Sequence, residues 1–190
     1  MELFNIFSAF GLSASAGLNA YIPLLSVAIL AKFTNLMTLK APWDVLTSWW
    51  VIGILIVLSV VEFFADKVPA VNHINDAIQT IIRPVAGAIV FAASANVVSD
   101  INPILSLSLG LLVAGGVHTA KAVAVRPAVT AATGGVGNIP VSMAEDLVST
   151  IISVLSIVIP VVIACISIII TAWIVYYFLQ KSRENDYTQY

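Results

Sequence analysis

Long stretches without a single charged residue dominate the chain and are separated by short polar ones. Four stretches lack Asp, Glu, Lys and Arg entirely: residues 3–31, 45–61, 101–120 and 147–180. A membrane-spanning helix needs about 17–25 apolar residues, so each stretch can hold one. A fifth apolar segment ends near Val98. The pattern predicts an all-α, polytopic integral membrane protein with about five transmembrane helices, or six if residues 142–180 break near Pro160.

The pattern also predicts how these segments are organised. We expect one transmembrane helical domain over residues 1–180 and a polar tail over residues 181–190. A weak internal repeat relates the start of the chain to its middle. Gly11 and Gly17 have the same spacing as Gly110 and Gly116. Internal repeats of this kind are common in transporters.

The first segment, residues 3–33, is longer than one straight span requires and has a centre rich in small residues. The run from Gly11 to Tyr21 reads GLSASAGLNAY, and Pro23 follows it. Small residues let helices approach closely in lipid, so a tight helix–helix seam is the favoured interpretation. The alternative is a broken or kinked helix whose backbone faces a polar cavity, with Asn19 beside it.

The densest charge lies between Glu62 and Arg83. We expect a helix to begin near Asn72 or Asn75, capped by either side chain. Its polar residues recur at i, i+3, i+4 and i+7 and form one stripe: Asp76, Gln79, Thr80 and Arg83. Seven residues of helix place Arg83 roughly 10 Å deeper than Asp76. An arginine at that depth costs about 2.5–3.5 kcal/mol, so we expect a partner from another helix or a water-filled cavity.

The link over residues 127–141 is small and uncharged. Its glycine-rich run, GGVGN, ends at Asn138 and offers backbone amides that can form an anion-binding nest. Plain flexibility is the favoured alternative. Ser142 and Glu145 have the spacing of a capping box, which predicts that the last helix begins at Ser142.

Counting spans brings most of these polar residues to one membrane face. The candidate substrate-binding or ion-pathway residues are Asn19, Glu62, Asp66, Asp76, Gln79, Thr80, Arg83, His118, Lys121, Arg126, Asn138, Glu145 and Asp146. His73 falls on the same face. Ionisable residues within a membrane typically mark substrate or ion pathways. The alternative is a set of interfacial charges, each solvated at a helix end. The positive-inside rule favours the opposite face as cytoplasmic.

Composition excludes several functions. The chain is 60% hydrophobic and 9% charged, whereas soluble domains are about 25% charged. Its net charge of −2 suggests no nucleic-acid partner. Cys165 is the single cysteine, so no internal disulfide forms. Two histidines without metal-binding spacing, and no nucleophile elbow, lead us to expect no metal, no cofactor and no catalytic residues.

Three stretches resemble a known family: residues 13–21 (SASAGLNAY), 62–84 (EFFADKVPAVNHINDAIQTIIRP) and 115–146. In these the chain resembles small bacterial inner-membrane proteins catalogued as domain of unknown function number 4126. The resemblance covers nearly the whole chain up to about residue 180. It implies a multi-pass protein of the bacterial inner membrane and implies no particular chemistry.

Function follows from the one-sided charge. We expect a transporter or channel-like protein for a small polar or anionic solute, with a charged cavity open to one membrane face. The alternatives are binding or translocation of an anionic lipid headgroup, a structural membrane subunit and, least favoured, a membrane enzyme. The expected partners are the lipid bilayer and the solute or headgroup, and a homo-oligomer is compatible. A polar cavity joining Arg83 to Asn19 would favour transport, and a cavity opening sideways to lipid would favour lipid handling.

Overall fold

The computed structural model describes residues 2–67, 69–95 and 101–159, together with the single positions 166, 169, 170 and 173. All regular structure in that part of the chain is helical, which confirms the predicted all-α class. The α-helices are α1 (Glu2–Leu18), α2 (Tyr21–Phe33), α3 (Trp49–Ala65), α4 (Pro69–Ala95), α5 (Pro103–Ala120), α6 (Arg126–Thr133) and α7 (Asn138–Val158). A 3₁₀ turn, Trp43–Thr47, precedes α3, and a π turn, Lys121–Val125, joins α5 to α6.

The helices have the lengths and composition that membrane insertion requires. Three are long and apolar enough to cross a membrane: Asn75–Ala95, Pro103–Thr133 and Asn138–Val158. Three shorter apolar helices accompany them: Ile6–Leu18, Tyr21–Phe33 and Trp49–Ala65. The count of five spans stays a prediction. So does the break at Pro160, because Pro160, Cys165 and the tail lie outside the described residues.

Helix α1 lies at the centre of the bundle, where it contacts α4, α5 and α7. Its small residues make that possible. A Cβ atom added at Gly17 would lie 2.6 Å from the carbonyl oxygen of Ala114, and one added at Gly110 would lie 2.5 Å from the carbonyl oxygen of Gly87. The Ser13 hydroxyl also donates a hydrogen bond of 2.8 Å to the Gly110 carbonyl. The predicted seam of small residues is therefore confirmed.

The first segment is also broken, as the alternative interpretation predicted, whereas the polar cavity that went with that interpretation stays a prediction. Helix α1 ends at Leu18 and α2 begins at Tyr21, leaving Asn19 and Ala20 between them. The seam lies within α1, and the break lies at its end. Beyond the break, α2 packs against α3 and α7.

Serine side chains join α1 to α7 in a way that the sequence did not suggest. The Ser15 hydroxyl lies 2.8 Å from the Ser149 hydroxyl and 2.7 Å from the Ser153 hydroxyl. About two turns earlier in α1, Ser8 donates to the Ser156 carbonyl at 2.6 Å. In an apolar bundle such bonds hold helices together where hydrophobic burial contributes little.

The predicted start of the third segment was wrong. Helix α4 begins at Pro69, so Asn72 and Asn75 lie inside it rather than at its cap. Proline favours the first helical turn, because it lacks the N–H group that a helix start leaves unused. The Asn75 side chain instead donates a hydrogen bond of 2.7 Å to Asp66. The side chains of residues 69–74, including His73, are not among those described.

The predicted link over residues 127–141 was also largely wrong. Residues 126–133 form α6, and α7 begins at Asn138 rather than at Ser142. The glycines explain the difference. Gly134 has a φ of 63° and Gly135 a φ of 93°, the left-handed conformation that ends a helix. They close a four-residue turn over residues 134–137, so α7 starts a full turn earlier than the capping box predicted.

Candidate functional site

The break between α1 and α2 is organised by Asn19. Its side-chain oxygen accepts the backbone N–H groups of Tyr21 and Ile22, both at 3.0 Å, and so satisfies the start of α2. Its side-chain nitrogen donates to Asp146 on α7 at 2.9 Å. The ammonium group of Lys121 donates to the Leu18 carbonyl at 3.3 Å. Backbone groups at the break are thus bound by side chains: the N–H groups at the start of α2 by Asn19 and the carbonyl at the end of α1 by Lys121.

The π turn faces the same region and has a cause in the sequence. Pro127 donates no N–H and its ring crowds the carbonyl four residues earlier, which disturbs regular α-helical bonding. The Arg126 N–H bonds to the carbonyl of Lys121, five residues back. The side chains of Lys121 and Arg126 are consequently brought together. Both bind the same carboxylate oxygen of Glu145, Lys121 at 2.8 Å and Arg126 at 3.0 Å.

The sequence predicts for Arg83 either a partner from another helix or a water-filled cavity, and the structure shows a partner. Its guanidinium lies 3.0 Å from a carboxylate oxygen of Glu62 on α3, and each side chain is only 1% exposed. A second guanidinium nitrogen lies 3.3 Å from Nδ1 of His118 on α5. Nε2 of that histidine lies 3.1 Å from the Thr80 hydroxyl. We call Glu62, Thr80, Arg83 and His118, with the buried Gln79 beside them, the inner group.

The inner group fixes the protonation of its histidine. Arginine can only donate, so Nδ1 of His118 accepts and carries no proton. The Thr80 hydroxyl donates to the Asp76 carbonyl at 2.9 Å, so it accepts from Nε2 of His118. The network therefore assigns a neutral imidazole with its proton on Nε2.

A second set of charges lies nearer the start of α4. Arg126 binds carboxylates from three directions: Glu145 at 3.0 Å, Asp66 at 3.7 Å and Asp76 at 3.8 Å. Asp66 also accepts the Ser142 hydroxyl at 2.7 Å. We call Asp66, Asp76, Lys121, Arg126 and Glu145 the outer group. It ties α6 to α4, to α7 and to the end of α3.

The structure brings together nearly all of the residues selected from the sequence. The inner group, the outer group and the pair of Asn19 and Asp146 adjoin one another at the helix break. Asn138 is the exception, because its amide donates to Thr130 at 2.8 Å within the turn that precedes α7. Gly137 and Asn138 also use their backbone N–H groups inside that turn. The anion-binding role predicted for this run therefore has fewer amides to offer than the sequence suggested.

Some contributors escaped the sequence reasoning. Asn75 and Ser142 both bind Asp66, and Ser149 and Ser153 bind α1. A signal existed, because serines recur along one helical face of α7 at Ser142, Ser149, Ser153 and Ser156, all of them buried.

Three deeply buried atoms of the inner group have no hydrogen-bond partner within the part of the chain that the structure describes. They are one carboxylate oxygen of Glu62, the side-chain oxygen of Gln79 and Nε of Arg83. Buried polar groups in proteins nearly always have a partner, and an unsatisfied one costs about 1–3 kcal/mol. These atoms are therefore suited to bind water or the polar groups of a small ligand. Among the described residues, no three His, Cys, Asp or Glu side chains are grouped to share a metal ion.

Comparison with known proteins places the chain in a family. No curated protein and no solved structure matches it. A family model described as "Domain of unknown function (DUF4126)" matches residues 6–181, nearly the whole chain. The resemblance recognised in the sequence is thereby confirmed, and the chain belongs to the DUF4126 family.

Proposed function

We propose that this protein is a transporter of the bacterial inner membrane that carries a small polar solute through the inner and outer groups. The observation that carries the proposal is the buried pair of Glu62 and Arg83, enclosed in an apolar helical bundle beside a broken helix. Ionisable groups in such surroundings are expensive and typically serve substrate or proton movement.

The two helix irregularities support this function. Discontinuous helices form the substrate sites of many transporters, because their free backbone groups bind polar ligands. Single π turns inside helices also occur frequently at functional sites. Here the break at Asn19 and the π turn at Lys121 meet, since the lysine binds the carbonyl at the end of α1. A helix pair built only for packing would need neither irregularity.

The positions of the two groups suggest separate roles. Asp76 and Arg83 are seven residues apart on α4, so the inner group lies roughly 10 Å further along the helix than the outer one. We assign solute binding to the inner group, where Glu62 and Gln79 each have an oxygen without a hydrogen-bond partner among the described residues. We assign gating to the outer group, because the ion pairs of Arg126 connect α6 to α3, α4 and α7 near the start of α4.

The charge balance narrows the solute. The inner and outer groups with Asp146 contain five carboxylates and three basic side chains: Glu62, Asp66, Asp76, Glu145 and Asp146 against Arg83, Lys121 and Arg126. Each cation is within 4 Å of a carboxylate. An anionic solute would have to displace a carboxylate already in place. We therefore favour an uncharged or positively charged solute, with the carboxylates as carriers of coupled protons.

The test is a current measurement on reconstituted protein. Proteoliposomes adsorbed to a solid-supported membrane receive jumps of pH and of small amines, amides, polyols and amino acids. At least one class should give a current that protein-free liposomes lack. Glu62→Gln should lower that current about tenfold or more, and Thr80→Val should lower it without disturbing the buried ion pair. Asp44→Asn, which changes an exposed carboxylate, should leave it intact.

Two results would count against transport. One is the absence of any solute-dependent or pH-dependent current from correctly inserted protein. The other is a current that Glu62→Gln and Thr80→Val both leave at the wild-type level.

A second candidate function, lipid handling, is favoured by one specific observation, a groove that opens sideways between α3 and α7.

A further inference from the structure

A groove runs between α3 and α7 with α2 as its floor. Its first part encloses about 520 Å³ and is walled by apolar side chains, among them Phe63 and Phe64 of α3 and Met143 and Leu147 of α7. Asn19 and Asp146 form the polar end of this part. A second part of about 320 Å³ continues along α2 and shares Ile22, Ser59 and Thr150 with the first.

The groove is accessible from the side of the bundle. Phe64 is 63% exposed and Leu147 is 61% exposed, although both are large apolar residues. Beyond the shared residues the lining turns aliphatic, with Leu25 and Ile29 of α2 facing Val154 of α7. In a bilayer this groove would face hydrocarbon along its length and present charged groups at one end only. The other polar groups of its lining are the hydroxyls of Ser26, Ser59 and Thr150. That distribution matches an amphiphile and not a free polar solute.

The polar end carries both signs of charge. One carboxylate oxygen of Asp146 accepts the Asn19 amide, and the other has no hydrogen-bond partner in the described ranges. Lys67 lies at the rim, where its ammonium group donates to the Phe63 carbonyl at 2.7 Å and lies 3.0 Å from the centre of the Phe63 ring. Phe63 itself lines the groove. A carboxylate and an ammonium group at the same end of the groove are complementary to a headgroup that carries both an ammonium and a phosphate.

We infer that this groove binds one acyl chain of a phospholipid with a primary-amine headgroup, whose ammonium group binds Asp146 and whose phosphate lies towards Lys67. A primary ammonium has three N–H donors, and the free oxygen of Asp146 can accept one of them. A quaternary ammonium has none. An anionic headgroup without an amine would bring negative charge to a carboxylate. The inference does not depend on the proposed transport, because it concerns a lipid-facing surface outside the inner group.

The experiment is photo-crosslinking in nanodiscs of phosphatidylcholine. The probe is phosphatidylethanolamine with a photoreactive group in one acyl chain, and labelled peptides are identified by mass spectrometry. We expect labelling on the groove-facing residues of α3 and α7. Unlabelled phosphatidylethanolamine should compete with the probe, whereas phosphatidylglycerol and further phosphatidylcholine should compete poorly.

Two variants and one control test the assignment. Asp146→Asn keeps the shape of the side chain and its bond to Asn19 but removes the charge. It should lower labelling about tenfold, the change expected from loss of one charged hydrogen bond. Leu147→Trp fills the groove without altering charge and should also abolish labelling. Leu112→Trp, on an exposed position of α5 that does not line the groove, should leave labelling unchanged.

The outcomes that overturn the inference are distinct. Equal competition by phosphatidylcholine, together with unchanged labelling of Asp146→Asn, would mean an unspecific annular lipid. Stronger competition by phosphatidylglycerol would assign the groove to an anionic lipid. Crosslinks between two copies of the chain through α3 or α7 would identify the occupant as a second protomer. None of these results bears on the currents that test the transport proposal.

Discussion

Removal of the negative charge from the pair of Glu62 and Arg83 should destabilise the protein strongly. Glu62→Gln keeps the size of the side chain and an oxygen that can accept from the guanidinium 3.0 Å away. The arginine, however, keeps its full charge in a site where its side chain is 1% exposed. Removal of one partner of a buried ion pair typically costs about 3–5 kcal/mol, because the remaining charge is left uncompensated. We expect about 3 kcal/mol, since the hydrogen bond survives.

The size of this effect relative to total stability makes it measurable. Proteins of this size are stable by about 5–15 kcal/mol, so the variant loses a large fraction of its margin. Reversible unfolding by sodium dodecyl sulfate in mixed micelles, followed by the fluorescence of the four tryptophans, gives the free energy of unfolding. Asp44→Asn is the matched control, because it removes one exposed carboxylate and should change that free energy by less than about 0.5 kcal/mol.

A double variant separates charge from packing. Arg83→Met in the Glu62→Gln background removes the uncompensated charge and fills similar volume with an apolar chain. Buried pairs can often be replaced by apolar residues without loss, so the double variant should regain about 2 kcal/mol or more relative to Glu62→Gln. The reasoning fails if Glu62→Gln costs less than about 1 kcal/mol, or if the double variant is less stable than the single one.

Further predictions concern packing, the serine contacts, the turn and the outlying asparagine. Gly110→Ala should lower the free energy of unfolding by about 1–3 kcal/mol, because its Cβ would overlap the Gly87 carbonyl. Gly116→Ala is the control: no atom of the described residues lies within 4 Å of its added Cβ, so it should be neutral or stabilising. Equal effects of the two variants in the same unfolding assay would contradict the seam. Ser15→Ala should cost about 1 kcal/mol or slightly more, because three contacts of its hydroxyl with Ser149 and Ser153 are lost, and a cost near zero would mean that the serine bonds do not hold α7. Gly134→Ala should cost about 1 kcal/mol through its positive φ, and no loss in thermal stability would refute that role of the glycine. Asn138→Ala should retain wild-type currents in the transport assay, and a loss of current would mean that the turn before α7 contributes to the functional site.

The sequence predicted the class and the polar site better than the helix boundaries. Hydrophobic runs and the stripe on α4 depend on composition and helical spacing, which survive in the fold. The depth of Arg83 required a partner from another helix or a water-filled cavity, and Glu62 is such a partner. The sequence could not name it, because several acids were equally near by counting spans. Only the packing of α3 against α4 selects one of them.

The predicted helix boundaries were wrong where a local capping signal competed with tertiary contacts. Ser142 and Glu145 satisfy the spacing of a capping box, yet both side chains are engaged by other elements: Ser142 by Asp66, Glu145 by Lys121 and Arg126. The tertiary contacts outweigh a cap that contributes about 1 kcal/mol. Likewise, Asn75 binds Asp66 rather than a helix start. In both cases a residue typical of caps served the charged cluster.

The π turn at residues 121–125 makes the length of this helix as important as its composition. One residue corresponds to about 100° of rotation in a regular α-helix. Deletion of Ala122 alone would leave hydropathy, charge and helical propensity almost unchanged. That deletion would turn the bond from the Arg126 N–H to the Lys121 carbonyl into a regular α-helical bond and leave α6 in place. If the turn instead relaxed into a regular helix without losing a residue, α6 would rotate and Arg126 would leave all three of its carboxylates together. A single-codon deletion here should therefore be less damaging than one elsewhere in α5 or α6, and a genetic screen of one-residue deletions along both helices would locate the turn without any structural measurement.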